Sequence, residues 1–169
     1  MTAKQLSDRT IDATDRRILA ELQRNGRITN VELAGRCHLS PAACLVRVRA
    51  LEQSGYIQGY RAILDPAKLG QAMVVFVEIR LDRTTSDAFK RFASAVAGIP
   101  EIVECHMVAG GFDYLIKVRV ESMAVYRDVL TKVLVELPAV RETHTFAVIE
   151  EVKNDPTIHL PLPRERGRR

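Results

Sequence analysis

The hydrophobic positions of this chain change period near residue 70. In the first third they recur three and four residues apart. "IDATDRRILAELQRNGR" puts Ile18, Leu19 and Leu22 on one stripe of a helix. Asp12 suits its N-cap, Asp15 follows three residues on near the positive helix end, and Gly26 suits its close. "TNVELAGRCHLS" repeats the pattern over a shorter span. Thr29 caps, Val31, Leu33 and Ala34 form the buried side, and the helix must stop near Cys37. "SPAACLVRVRALEQSGY" starts a third helix, with Ser40 as cap, Pro41 in the first turn and Gly55 at the end. Three short helices with a tight break between the second and third make a helix-turn-helix pattern.

After "YIQGYRAIL", a β-like stretch that reads as a hinge, and the punctuated joint "DPAKLG", the period falls to two. "MVVFVEIRL" alternates, with Val75, Val77, Ile79 and Leu81 on one side. "SDAFKRFASAVAG" returns to helical spacing through Phe89, Phe92, Ala93 and Val96. "IVECHMVAG" and "DYLIKVRV" are strands, "SMAVYRDVLTKVLVEL" a helix and "VRETHTFAVIEEV" a last strand. The order β-α-β-β-α-β is the ferredoxin-like split unit. The fold class is therefore α+β: a helix-turn-helix, winged-helix-like domain over residues 1–64, and a ferredoxin-like domain over 65–153. Residues 154–169, "NDPTIHLPLPRERGRR", are proline-rich and basic and read as a loosely ordered tail, and the polar residues 1–10 read as frayed. A sheet with helices on one face needs a polar second face if it works alone. Here that side carries Val74 and Phe76 beside Glu78 and Arg80, and "YLIKVRV" is apolar on both sides. A homodimer formed through the sheet is the expected remedy.

Composition narrows the class. The chain has 169 residues, is 47% hydrophobic and 27% charged, and has no apolar run of the roughly 18 residues that a membrane span needs. No signal-like stretch opens it, and three cysteines at unrelated spacings imply no disulfide framework. A cytoplasmic protein with no membrane partner is expected. Net charge is +4, unevenly spread. Residues 1–65 carry ten Lys/Arg against seven Asp/Glu, 66–152 ten against twelve, and 153–169 five against two. An anionic partner is expected at the N-terminal end.

The third helix gives that partner a shape. At about 100° per residue, Cys44, Leu45, Val48 and Leu51 fall on one side and Ala42, Ala43, Val46, Ala50 and Gln53 on the other. Arg47 and Arg49 flank the second face. A major groove admits a helix only where the entering face is slim. Small residues let the backbone approach, apolar ones touch thymine methyls, and arginines reach phosphates or guanine. Ser40, Pro41 and the helix N-terminus add a phosphate contact. Ser40, Pro41, Ala42, Ala43, Val46, Arg47 and Arg49 are thus the candidate contacts to double-stranded DNA. An ordinary surface helix would explain the alanines alone through helix propensity.

These stretches, from about Asp12 to Lys153, resemble the Lrp/AsnC family of bacterial and archaeal transcription regulators. The resemblance implies a non-enzymatic regulator of amino-acid metabolism genes. It implies homodimers paired through the sheet, often an octamer of four dimers, and a small effector between dimers, usually an amino acid such as leucine. No cofactor is implied. Where the family commonly reads G-D-F-D-Y, this chain reads Gly110, Gly111, Phe112, Asp113, Tyr114, so one acid is replaced by Gly111. Met123 and Val148 match further effector-response positions, Phe146 nearly matches and Ala147 is smaller than usual. The chemistry fits: glycine N–H groups suit a carboxylate, Asp113 suits an ammonium, and Met107, Met123 and Val148 can wall an aliphatic side chain. A plain hairpin turn with glycines at positive φ is the alternative. A regulator of the same fold without effector response also remains open.

Other chemistry has weaker support. Neighbouring Cys105 and His106 on a strand point apart, which disfavours a nucleophile–base pair and a small ferredoxin-like enzyme. Cys37, His38 and Cys44 lack paired metal-ligand spacing, and no metal is expected. An RNA-recognition sheet wants exposed aromatics on its central strands, and "YLIKVRV" has only the leading tyrosine.

Overall fold

Helix α1 (Ala13–Arg24) opens on a reciprocal capping box in this computed structural model, which describes residues 10–82 and 85–161. The Asp15 N–H donates to Asp12 Oδ1 at 2.7 Å and the Asp12 N–H to Asp15 Oδ2 at 3.4 Å. Each bond pairs a donor that the helix start otherwise leaves open. Thr29 caps α2 (Asn30–Arg36). Ser40 caps α3 (Pro41–Gln53), its Oγ accepting from the Ala43 N–H at 3.2 Å. Between α2 and α3 the chain turns through His38 at φ 56°, a left-handed conformation unusual for a residue with a side chain. The Leu39 N–H bonds Ala34 O at 2.8 Å and the Asn30 amide bonds Pro41 O at 2.8 Å, so the turn is held from both helices.

The core of this unit is Ile18, Leu33, Ala34, Cys37, Cys44 and Leu51, all buried. Two expected core residues are not. Val31 is 68% exposed because it lies about 110° around α2 from the centre of the face made by Leu33, Ala34 and Cys37. Leu45 is 39% exposed, about 90° from the centre of the packed face of α3. Residues 56–64, expected to be a hinge strand, form no ladder among the described residues, since no strand lies beside them to pair with.

The chain divides between Ile63 and Leu64, and the described residues from Asp155 to Pro161 group with the first unit. The expected loose tail is different over its described part: Ile158 pairs through its backbone with Gln23 of α1. The remainder of the tail, and residues 1–9 of the frayed start, lie outside the described residues.

The second unit is a four-stranded antiparallel sheet in the order β2-β3-β1-β4. Its strands are β1 (Met73–Leu81), β2 (Ile102–Met107), β3 (Tyr114–Val120) and β4 (Val140–Ala147), with helices α4 (Ser86–Val96) and α5 (Met123–Glu136). Alternation decides the faces. Val75, Val77, Ile79 and Leu81 join Tyr114, Ile116, Val118 and Val120 in one core with Phe92, Tyr126, Val129 and Val133 from the helices. Phe92 stacks on Tyr114 at 4.2 Å, so the tyrosine that an RNA platform would expose is core here. The last strand ends five residues earlier than its sequence pattern implies: after Ala147 only the Val148 N–H, bonded to Val74 O at 3.0 Å, continues the pairing.

The opposite face is a lattice of apolar and charged side chains. Phe76 of β1 stands directly across from Phe146 of β4, and Val74 and Leu115 share this side. Arg119 makes a two-pronged pair with Glu151 at 2.9 and 3.0 Å, and Lys117 reaches Glu104 at 3.4 Å and Glu151 at 3.6 Å.

Candidate functional sites

On α3 the capping and packing described above leave a defined outer face. Ser40, Pro41, Ala42, Ala43 and Val46 are exposed, Val46 at 67%. Arg49 is exposed and has no ion pair among the described residues. Arg47 is placed differently. Its Nη1 meets Asp12 Oδ2 at 2.7 Å and Asp15 Oδ1 at 2.9 Å, and the Asp15 side chain is only 2% exposed. The guanidinium thus ties α3 to the cap of α1. The Asp15 N–H holds the Asp12 carboxyl below the usual carboxylate range; partial burial opposes this and Arg47 reinforces it. With Thr10, these residues line an open hollow of about 650 Å³ beside Ala42, Ala43 and Val46. Sequence reasoning missed the two aspartates as part of this surface. The available signal was that a helix-turn-helix lays the start of its first helix near the start of its third.

The candidate effector residues fall into two groups. Met107 ends β2, and Gly110, Gly111, Phe112 and Asp113 belong to the β2–β3 connection that follows it. The Asp113 N–H bonds Ile79 O at 3.0 Å, which fixes this loop at the finish of β1. Met123, Phe146, Ala147 and Val148 lie at the other end of the sheet, where Val148 is bonded to Val74 and α5 begins after β3. From Val74 to Ile79 the strand rises about 17 Å. One amino acid cannot touch both groups within one copy of the chain.

Asp113 also builds its own loop. Its Oδ2 accepts the Leu81 N–H at 2.8 Å and its carbonyl accepts the Val108 N–H at 3.0 Å. Oδ1 has no hydrogen bond among the described residues. Arg80, which sequence reasoning passed over, donates through Nε and Nη2 to the Gly111 carbonyl and pairs with Glu142 at 3.3 Å. The β2–β3 connection is a hairpin, but positive φ does not explain its glycines, because neither Gly110 nor Gly111 has one. A Cβ on either would meet nothing within 4 Å, so both leave their backbone open to approach.

On β2, Cys105 sits opposite Ile116 on the helix side, whereas His106 sits opposite Leu115 on the other face. They cannot act as a pair. Among the described residues no three His, Cys, Asp or Glu side chains converge as metal ligands.

A family model for the Lrp/AsnC ligand binding domain matches residues 74–158, and one for the winged helix-turn-helix DNA-binding domain matches residues 11–58. The leucine-responsive regulatory proteins of Klebsiella pneumoniae and Escherichia coli K12 are 52% and 51% identical over 151 residues, 89% of this chain and 92% of theirs. This chain belongs to the Lrp/AsnC family. Among solved structures, a transcriptional regulator of Neisseria meningitidis in complex with L-Met superposes with a TM-score of 0.83 at 33% identity, covering 89% of this chain and 97% of that one. The feast or famine regulatory protein of Mycobacterium tuberculosis complexed with L-methionine gives 0.80 at 34% identity, covering 90% and 100%. As an Lrp/AsnC protein, the chain is a DNA-binding transcription regulator with a helix-turn-helix unit and a ligand-binding α+β unit.

Proposed function

We propose that this regulator reads duplex DNA with the Ala42, Ala43, Val46 face of α3 and answers to a free amino acid held between copies of its sheet unit. The observation that carries the first half is a capped helix presenting a small apolar face to solvent with the exposed Arg49 at its margin. Ser40 and Pro41 bring the helix start to a phosphate. Arg47 fixes the angle of α3 and completes its DNA contact only if it exchanges a carboxylate for a phosphate. Two copies set two such helices in successive major grooves, about 34 Å apart.

The dimer forms through the open face of the sheet. The Phe76–Phe146 pair and Leu115 supply apolar area there, and the ion pairs around Lys117 and Arg119 already neutralise much of the charge. Dimers then assemble further, four to an octamer. The effector meets the Gly110–Asp113 loop of one copy and the Met123 and Phe146–Val148 end of another. Glycine N–H groups face its carboxylate, and Asp113 Oδ1 takes its ammonium. A ligand bound across two copies favours whichever assembly brings those ends together, and it shifts the population by its differential affinity. Leucine and methionine suit an aliphatic wall of Met107, Met123 and Val148. No catalytic step is assigned, and the protein acts where its DNA is, in the cytoplasm.

A second reading keeps the DNA role without the effector. It is favoured by Gly111, which replaces an acid of the family pattern, and by Asp113, which spends one carboxylate oxygen on Leu81. Mapping of binding sites on bacterial genomic DNA with and without an amino-acid mixture tests both. Discrete sites whose occupancy or spacing changes with amino acids support the full proposal. Discrete sites indifferent to amino acids support the second reading. No enrichment of any sequence overturns the DNA-reading face.

A further inference from the structure

The loop that follows β2 closes on the protruding end of β1. The β1–β3 pairing stops at Ile79 and Tyr114, and β1 runs on through Arg80 and Leu81. Side chains and backbone of the loop are tied to those last residues. The Asp113 N–H donates to Ile79 O at 3.0 Å, and Asp113 Oδ2 accepts the Leu81 N–H at 2.8 Å. Arg80 gives both Nε, at 3.1 Å, and Nη2 to the Gly111 carbonyl. The β1–β4 register shifts between Arg80 and Leu81, and an irregularity of this kind re-aims the side chain beside it. Glu142, across from Arg80 on β4, takes the third nitrogen, Nη1, at 3.3 Å. All three nitrogens of the guanidinium are engaged, which fixes the plane of the group.

This clasp decides where the next donor points. In a planar trans peptide the Gly111 carbonyl and the Phe112 N–H point in opposite directions. With the carbonyl drawn to Arg80, the Phe112 N–H faces away from the guanidinium, and no acceptor among the described residues takes it. Asp113 Oδ1, on the adjacent residue, is the matching free acceptor. A free N–H beside a free carboxylate oxygen suits the carboxylate and the ammonium that an α-amino acid carries on one carbon. Gly111 brings no side chain to shield the approach.

We propose that Arg80 is a positioning residue for the effector: it holds the Gly111–Phe112 peptide so that the Phe112 N–H receives the ligand's carboxylate. This rests on the reading that a free amino acid meets this loop. A donor fixed in advance spares the ligand the cost of ordering it. Without the guanidinium the peptide turns, and the loss falls on ligands that carry a carboxylate.

The test is isothermal titration of the full chain with L-leucine and with L-leucinamide, in which a neutral amide replaces the carboxylate. The unaltered protein should favour L-leucine. Arg80→Gln should weaken L-leucine about tenfold, the worth of one hydrogen bond to a charged group, and leave L-leucinamide within about twofold. Arg80→Lys keeps a charged donor for the carbonyl and should recover part of the loss, and Glu142→Gln should show a smaller loss of the same sign. With no ligand present, amide hydrogen exchange over residues 108–114 should quicken in Arg80→Gln, while the melting of the sheet unit stays unchanged because the Arg80–Glu142 pair is exposed. Equal weakening of both probes would make Arg80 a support of the fold alone and overturns the proposal. Unchanged exchange overturns it too, even beside a weakened L-leucine, since Arg80 would then not be holding the loop. If the unaltered protein binds neither probe, the effector reading falls and this inference falls with it.

Discussion

The two units differ in how much of a site one copy of the chain contains. In the reading proposed above, the helix-turn-helix holds its site entire: the proposed reading face, the capping residues and the strut from Arg47 to Asp12 and Asp15 lie within residues 10–53. The candidate effector residues of the sheet unit fall into two groups, one anchored at Ile79 and the other at Val74. A surface that meets DNA needs nothing more than a helix set at the right angle. A surface that senses a metabolite and reports it to other subunits is best built so that no single subunit completes it, since binding is then coupled to assembly.

Substitutions can break that contrast at several points. Val46→Glu should have the largest effect. It puts a carboxylate on the reading face and should lower DNA affinity about a hundredfold or more, as like charges across an interface cost several kcal/mol. Thermal stability should stay within about 0.5 kcal/mol because Val46 is exposed. Loss of fold with loss of binding would show the face to be packed rather than free.

Arg47→Ala should come next. It removes the guanidinium paired with the buried Asp15 carboxylate and should cost roughly 1–3 kcal/mol, less than a fully buried pair because Arg47 is itself one-third exposed. Differential scanning calorimetry should place the loss in the first unit's transition, and Asp15→Asn in the same chain should recover part of it. A variant that melts normally but binds DNA poorly would make Arg47 a direct contact instead of a strut.

Asp113→Ala removes the acceptor of the Leu81 N–H and should destabilise the sheet unit by about 1 kcal/mol. Asp113→Asn keeps an acceptor oxygen and should fold normally while losing any ammonium-dependent response. Retention of the full amino-acid response in the asparagine variant would remove Asp113 from the ligand's contacts.

The smallest effect is on acid stability. Asp12 has its folded pKa below the unfolded value, so its contribution is present above about pH 4 and is lost as pH falls through the depressed folded value. Asp12→Asn should flatten the acid limb of the first unit's stability curve, followed by circular dichroism. An unchanged limb would mean that the strut rests on Asp15 alone.

The elements were readable in the sequence because local chemistry sets them. The three caps of the first unit stand where Asp12, Thr29 and Ser40 place them, and β1 runs over the stretch that alternates. The strut was not readable. Asp12 and Arg47 are 35 residues apart, and a helical wheel of α3 shows where an arginine lies on the helix but not what stands opposite. The left-handed turn at His38 carries no glycine to announce it. The bonds that hold Ile158 come from one glutamine 135 residues away, which composition cannot signal. The candidate effector residues were named from resemblance, and only the register showed them to be split between the ends of the sheet.

Subunit mixing tests that split most directly. Asp113→Asn disables the loop end and Met123→Glu the other end, so each variant alone should bind neither L-leucine nor L-methionine in isothermal titration. Co-refolded in equal amounts, the two should recover binding in a fraction of their sites, because some junctions then pair an intact loop with an intact opposite end. A mixture as silent as its components would contradict a site shared between copies.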